Sequence, residues 1–146
     1  MNIINILNNA KVDKIIAGGS NGSIILIDLV KECNKYVIYI YCAWRVSFNN
    51  KVLTGWNDKE SIFVNKLKEL QEDIIIEVTS NVLGDFNLLF KSGKKLDVFC
   101  DITSNIEESS MEENWSLCDI LNNNCYNFTN HFILLQEPYD QDALEI

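Results

Sequence analysis

Thirteen residues from Tyr36 to Phe48 form the longest apolar run in the chain, rich in β-branched and aromatic side chains and interrupted by Arg45. The run is too short for a membrane-spanning helix, which needs roughly 20 apolar residues. It is also apolar at both odd and even positions. A strand facing water on one side alternates polar and apolar residues, so this pattern predicts a central strand covered on both faces. Asn49-Asn50 follows as a tight turn, because asparagine tolerates positive φ. Lys51 to Thr54 then begins the return strand.

The flanking segments extend the β pattern. Val12 to Ala17 and Ser23 to Val30 read as two strands joined by the turn residues Gly18-Gly19-Ser20-Asn21-Gly22. These glycines lack the closing Gly-Lys-Ser/Thr of a phosphate-binding loop. Ile3 to Asn9 has the spacing of one or two helical turns. The main predicted helix is Asp58 to Gln71, with Asn57 and Glu60 as a capping box and Phe63, Leu67 and Leu70 on one buried face. Ile74 to Thr79 is the next strand. A hairpin follows, Asp85–Phe90 and Lys94–Cys100, whose register depends on its loop. A two-residue loop opposes Leu88 to Asp97. A three-residue loop, Lys91 to Gly93, opposes Leu88 to Leu96 and Phe86 to Val98 on one apolar face, and is favoured. Asp101 to Asn114 reads as an acidic surface loop and Trp115 to Ile120 as a strand. Cys125–Thr129 and His131–Leu135 read as a last strand pair, and residues 139–146 as a frayed acidic tail. The expected fold is α+β: one domain over 1–146, built on a curved antiparallel sheet or open barrel of about seven to nine strands. The 58–71 helix packs on it, beside a short N-terminal helix.

Charge divides the chain at Lys95. The 95 residues up to that point carry a net +2; the 51 residues after it contain eleven carboxylates, no lysine and no arginine, and bring the total to −9. A net charge of −9 disfavours nucleic acid, which is met by basic surfaces. A basic protein is the partner such a field attracts. Met1 to Ala10 lacks the basic and apolar regions of a secretory signal, so a cytoplasmic location is expected, without membrane contact. The five cysteines include no C-x-x-C pair, and are expected to be reduced and mostly buried.

Catalytic signals are weak, and no enzyme activity, cofactor or metal is expected. His131 is the only histidine, which excludes sites built from several imidazoles. A Cys–His nucleophile pair needs an orienting group that the sequence does not place. Asp101, Thr103, Asn105, Glu107, Ser109 and Glu112 fall at calcium-loop spacing, but Ile106 stands where the loop's glycine belongs, so calcium binding is an alternative reading only. Carboxylates around an aromatic side chain suit a basic protein surface. The candidate partner-binding residues are therefore Glu107, Glu108, Glu112, Glu113 and Trp115, with Trp115 as a core residue the competing reading. Pairing of an apolar edge strand into a homodimer is a further alternative.

Gly84-Asp85-Phe86-Asn87-Leu88-Leu89-Phe90, Ser92-Gly93, Leu96-Asp97-Val98-Phe99 and Trp115-Ser116-Leu117, with Trp44-Arg45 earlier, carry a resemblance that covers about half the chain. The pattern resembles small uncharacterised bacterial proteins, some of them regarded as immunity proteins encoded beside polymorphic toxins. The resemblance implies a non-enzymatic binding protein, an inhibitor of a basic toxin, and brings no catalytic residues with it.

Overall fold

The long apolar run is not one strand but one alternation bent across two sheets. In the computed structural model, which describes residues 3–139, it becomes β3 (Asn34–Ile40) and β4 (Ala43–Phe48), separated by Tyr41 and Cys42. β3 lies in a six-stranded antiparallel sheet and β4 in a five-stranded one. The parity survives the bend: Tyr36, Ile38, Ile40, Cys42, Trp44 and Val46 all line the main core. Val37 and Tyr39 face the other way into a second, smaller cluster, with Tyr41 packed against it. The expected covering of both faces therefore holds for β3, whereas Arg45 is exposed on the outer side of β4. Thirteen residues in one straight strand would span about 43 Å, far beyond a usual strand. Bending lets one apolar face line the space between two layers.

The six-stranded sheet adds β1 (Lys11–Ile16), β2 (Ile25–Lys31), β9 (Glu113–Asp119), β10 (Asn124–Thr129) and β11 (Leu134–Glu137), in the order β1-β2-β3-β9-β10-β11. The five-stranded sheet contains β5 (Lys51–Gly55), β6 (Ile75–Ser80), β7 (Phe86–Phe90) and β8 (Lys95–Phe99), in the order β5-β4-β8-β7-β6. The α+β, antiparallel expectation holds. The single curved sheet resolves into two open sheets with eleven strands among the described residues. Their inner faces meet in one core that includes Ile25, Ile27, Trp44, Phe90, Leu96 and Trp115.

The β7–β8 register is the one that its apolar pattern demands, with Phe86 opposite Val98 and Leu88 opposite Leu96. Gly93 takes φ +93°, and the Phe90 amide donates to the Lys94 carbonyl across the loop. Asn49 and Asn50 have φ 50° and 62°, as a two-residue turn between β4 and β5 requires. The helix α1 is shorter than expected, Glu60–Lys68, because its predicted first turn is used elsewhere. The Asp58 carboxylate accepts from the Thr54 hydroxyl at 2.8 Å and the Gly55 amide at 3.2 Å, closing the turn after β5. The helix N-cap is Lys59, and the Glu60 carboxylate accepts from the Gly19 amide instead of completing a capping box. Phe63, Leu67 and Leu70 are buried as their spacing predicts, Leu70 in the turn that follows the helix. The N-terminal turns are a 3-10 helix, Ile3–Leu7. No helix among the described residues is long and apolar enough to cross a membrane.

The cysteine expectation needs correction. Cys118 and Cys125 are directly opposed in the β9–β10 pair and form a disulfide. A spacing of seven carried no metal-site signature, but the turn between these strands makes it a cross-strand pair. Cys33, Cys42 and Cys100 are thiols.

Candidate functional site

Of the five residues expected to meet a partner, Trp115 does not reach the surface. It is fully buried, its indole N–H donates to the Gly84 carbonyl at 2.9 Å, and its ring stacks on Phe128 at 5.7 Å with Phe86 edge-on at 5.5 Å. Register explains this: Trp115 lies opposite both Ile40 and Phe128, on the face of the six-stranded sheet that looks into the core. Glu113 behaves differently because the β9–β10 ladder shifts between Phe128 and Thr129. That bulge re-aims the side chain, placing Glu113 on the outer face with Ser116, whose hydroxyl donates to it at 3.4 Å.

Glu113 stands at the edge of a recess of about 180 Å³ on that outer face. β3 contributes Tyr39, and Tyr41 follows just past its end, the two rings lying parallel at 6.4 Å. The Cys118–Cys125 disulfide also lines the recess, with Asn127 from β10. Glu137 from β11 provides the second carboxylate and accepts a hydrogen bond from the buried Asn127 amide. Tyr139 extends over the same cavity and shares a hydrogen bond with Tyr39. A carboxylate from the end of the acidic loop thus meets one from the final strand.

Electrostatics make the recess anionic and its tyrosines neutral. Burial, then the charge of Glu137, pushes the Glu113 carboxyl above its ordinary range. Burial, then the charge of Glu113, pushes Tyr41 up to about 12. Burial and the hydrogen bond with Tyr139 push Tyr39 still higher. Ion pairs among the described residues join Lys11 to Glu72, Lys66 and Lys94 to Glu69, and Arg45 and Lys95 to Asp97. None of these pairs involves Glu113 or Glu137. Two adjacent carboxylates beside aromatic faces favour a cationic group, by charge and by cation–π attraction.

The other candidates are dispersed. Glu107, Glu108 and Glu112 are exposed in the loop between β8 and β9. That loop is laced internally: Asn105 Nδ2 donates to Glu108 at 2.9 Å, Ser109 Oγ to the Asn105 carbonyl at 2.6 Å, and the Glu112 amide to Asn130 Oδ1 at 2.8 Å. Among the described residues no group of three acidic, histidine or cysteine side chains gathers as a metal site. The buried His131 has Nε2 3.2 Å from Ser109 Oγ. The hydroxyl's one proton is committed to the Asn105 carbonyl, so the imidazole is the donor in this contact and does not activate the serine. Cys118 and Cys125 are bonded to each other, and Cys100 contacts Cys42.

Tyr39, Tyr41, Asn127 and Glu137 were not singled out by sequence. The odd positions 37, 39 and 41 did signal a second apolar face, but only strand order shows that β9, β10 and β11 bring carboxylates and an amide to it. Asp140 and the rest of the expected tail lie outside the described residues. Comparison with protein-family models, curated proteins and solved structures found no match for this chain.

Proposed function

We propose that this chain is a non-enzymatic binding protein that takes a lysine or arginine side chain of a basic protein partner into the Glu113–Glu137 recess. The observation that carries the proposal is the placement of two carboxylates without an ion-pairing base beside the neutral rings of Tyr39 and Tyr41. The exposed loop carboxylates Glu107, Glu108 and Glu112 would then act away from the recess, speeding encounter more than adding affinity. The resemblance to immunity proteins adds a partner class, a basic toxin, met in the cytoplasm.

A fluorescently labelled arginine- and lysine-rich peptide tests the reading. Binding at low salt is expected to weaken on adding salt, as it does for charge-steered association. The double variant Glu113→Gln/Glu137→Gln is expected to lose roughly tenfold in affinity, because it removes both charges beside the tyrosine rings, while Glu107→Gln/Glu108→Gln changes it by less than about threefold. If both double variants weaken binding equally, attraction is merely general acidity and the recess is not the site.

A further inference from the structure

A second pair of cysteines is aligned across strands, in a different ladder from the Cys118–Cys125 disulfide. In the β4–β8 ladder Ala43 lies opposite Phe99 and Trp44 opposite Val98. One step past the end of that antiparallel ladder, Cys42 falls opposite Cys100. Directly opposed residues in such a ladder have Cα atoms about 4.5–5.5 Å apart, inside the reach of a disulfide. The side chains agree with this alignment, the Cys42 thiol being the neighbour that most raises the pKa of Cys100. Both line a cavity of about 390 Å³ beside Trp56 and Phe99, which gives small molecules a route to them.

We propose that Cys42 and Cys100 are an oxidative modification site, a dithiol that closes to a disulfide by exchange with a small-molecule disulfide such as oxidised glutathione. Cys100, the less buried of the two, loses its proton to solvent and as the thiolate attacks one sulfur of the reagent. A mixed disulfide forms and one glutathione thiolate leaves. Cys42 then loses its proton to solvent and attacks the Cys100 sulfur, releasing the second glutathione. Two protein thiols are oxidised by two electrons, and one glutathione disulfide is reduced to two thiols. The contact with Cys42, burial and the Asp85 charge hold the Cys100 thiol protonated, so the exchange accelerates as pH rises. Cys42 lies where the chain passes between sheets and Cys100 where the acidic loop begins. The new bond fixes the root of that loop.

The test uses the full chain with the exposed Cys33 replaced, Cys33→Ser, treated with oxidised glutathione at mildly alkaline pH. Peptide mapping without reductant is expected to yield one new cross-linked species joining Cys42 to Cys100, with two glutathione thiols released per chain. In the further variant Cys42→Ser, Cys100 is expected to stop at a single glutathione adduct. The proposal is overturned if Cys42 and Cys100 stay unmodified, carry separate adducts, or exchange with Cys118 or Cys125 while circular dichroism shows the native fold. None of these outcomes depends on whether the anionic recess binds a basic partner.

Discussion

Replacing Gly84 by alanine should be among the most damaging single-methyl changes available to this fold. A Cβ built there lies 2.0, 2.4 and 2.6 Å from three atoms of the Phe128 ring. Phe128 has little room to retreat, since it is 2% exposed and stacked on the buried Trp115. Gly84 is itself held by the hydrogen bond that its carbonyl accepts from the Trp115 indole. Its φ of +85° adds a backbone cost of about 1–2 kcal/mol for a residue with a Cβ. Overpacking adds about 1–3 kcal/mol. The total, about 2–5 kcal/mol, is a large part of the roughly 5–15 kcal/mol that keeps a domain folded. Gly22→Ala supplies the control, with φ +58°, ψ −130° and nothing within 4 Å of the new methyl, so only a backbone cost of about 1–3 kcal/mol applies. Urea unfolding followed by tryptophan fluorescence and far-ultraviolet circular dichroism reads both variants. With a slope of about 2 kcal/mol per molar, the midpoint should fall by about 1–2.5 M for Gly84→Ala and by less, about 0.5–1.5 M, for Gly22→Ala. Equal shifts for the two would refute the claim that Gly84 is required by the Phe128–Trp115 stack.

Trp115→Ala should cost about 3–5 kcal/mol in the same assay, whereas a surface anchor would leave the midpoint unchanged. Glu113→Gln tests the raised carboxyl. A folded-state pKa above the unfolded one means the native state binds the extra proton. Stability is therefore greatest below the ordinary carboxyl pKa and falls as pH rises through the raised value. The variant should accordingly be more stable than the parent near neutrality and lose that advantage in acid. Thermal melts across pH would expose the opposite trend. Replacing Cys118 and Cys125 together by serine should lower stability by about 2–3 kcal/mol on the chain-entropy scale for a loop closed across seven positions; an unchanged denaturation midpoint would contradict this. Calorimetric titration with millimolar calcium should give no binding heat, because no three acidic, histidine or cysteine side chains converge among the described residues.

Local signals survived wherever one element decides the outcome. Gly93 and the alternation around it specify the β7–β8 register before any tertiary contact is known, and Asn49-Asn50 specify a two-residue turn. Phe63, Leu67 and Leu70 identify the buried side of α1, although the Asp58 carboxylate shortens the helix by taking a different role. What was illegible depends on strands distant in sequence. The bend at Tyr41–Cys42 leaves the alternation of side chains intact, so a bent strand and a straight one read alike. Nor do spacings between cysteines disclose which strands lie opposite each other. The recess is harder still, because Tyr39, Glu113 and Glu137 come from three strands and share a surface only through the order β3-β9-β10-β11. Trp115 illustrates the converse error: acidic neighbours in sequence suggested an exposed anchor, while pairing with Ile40 turned it inward.

The strand order also says something about how the chain must assemble. Each sheet is a near half and a far half joined along one seam, β3 against β9 in one and β4 against β8 in the other. During synthesis, β1 to β3 can pair as soon as they emerge, yet the edge of Tyr36–Ile40 stays open until Glu113–Asp119 has been made. Such distant pairings are slow, typically milliseconds to seconds. For that interval the wholly apolar stretch Tyr36–Ile40 offers an unoccupied ladder to any neighbouring chain. Yield at high expression should therefore depend on how quickly the second half of the chain arrives, and a nascent chain stalled before Glu113 should be the species that aggregates.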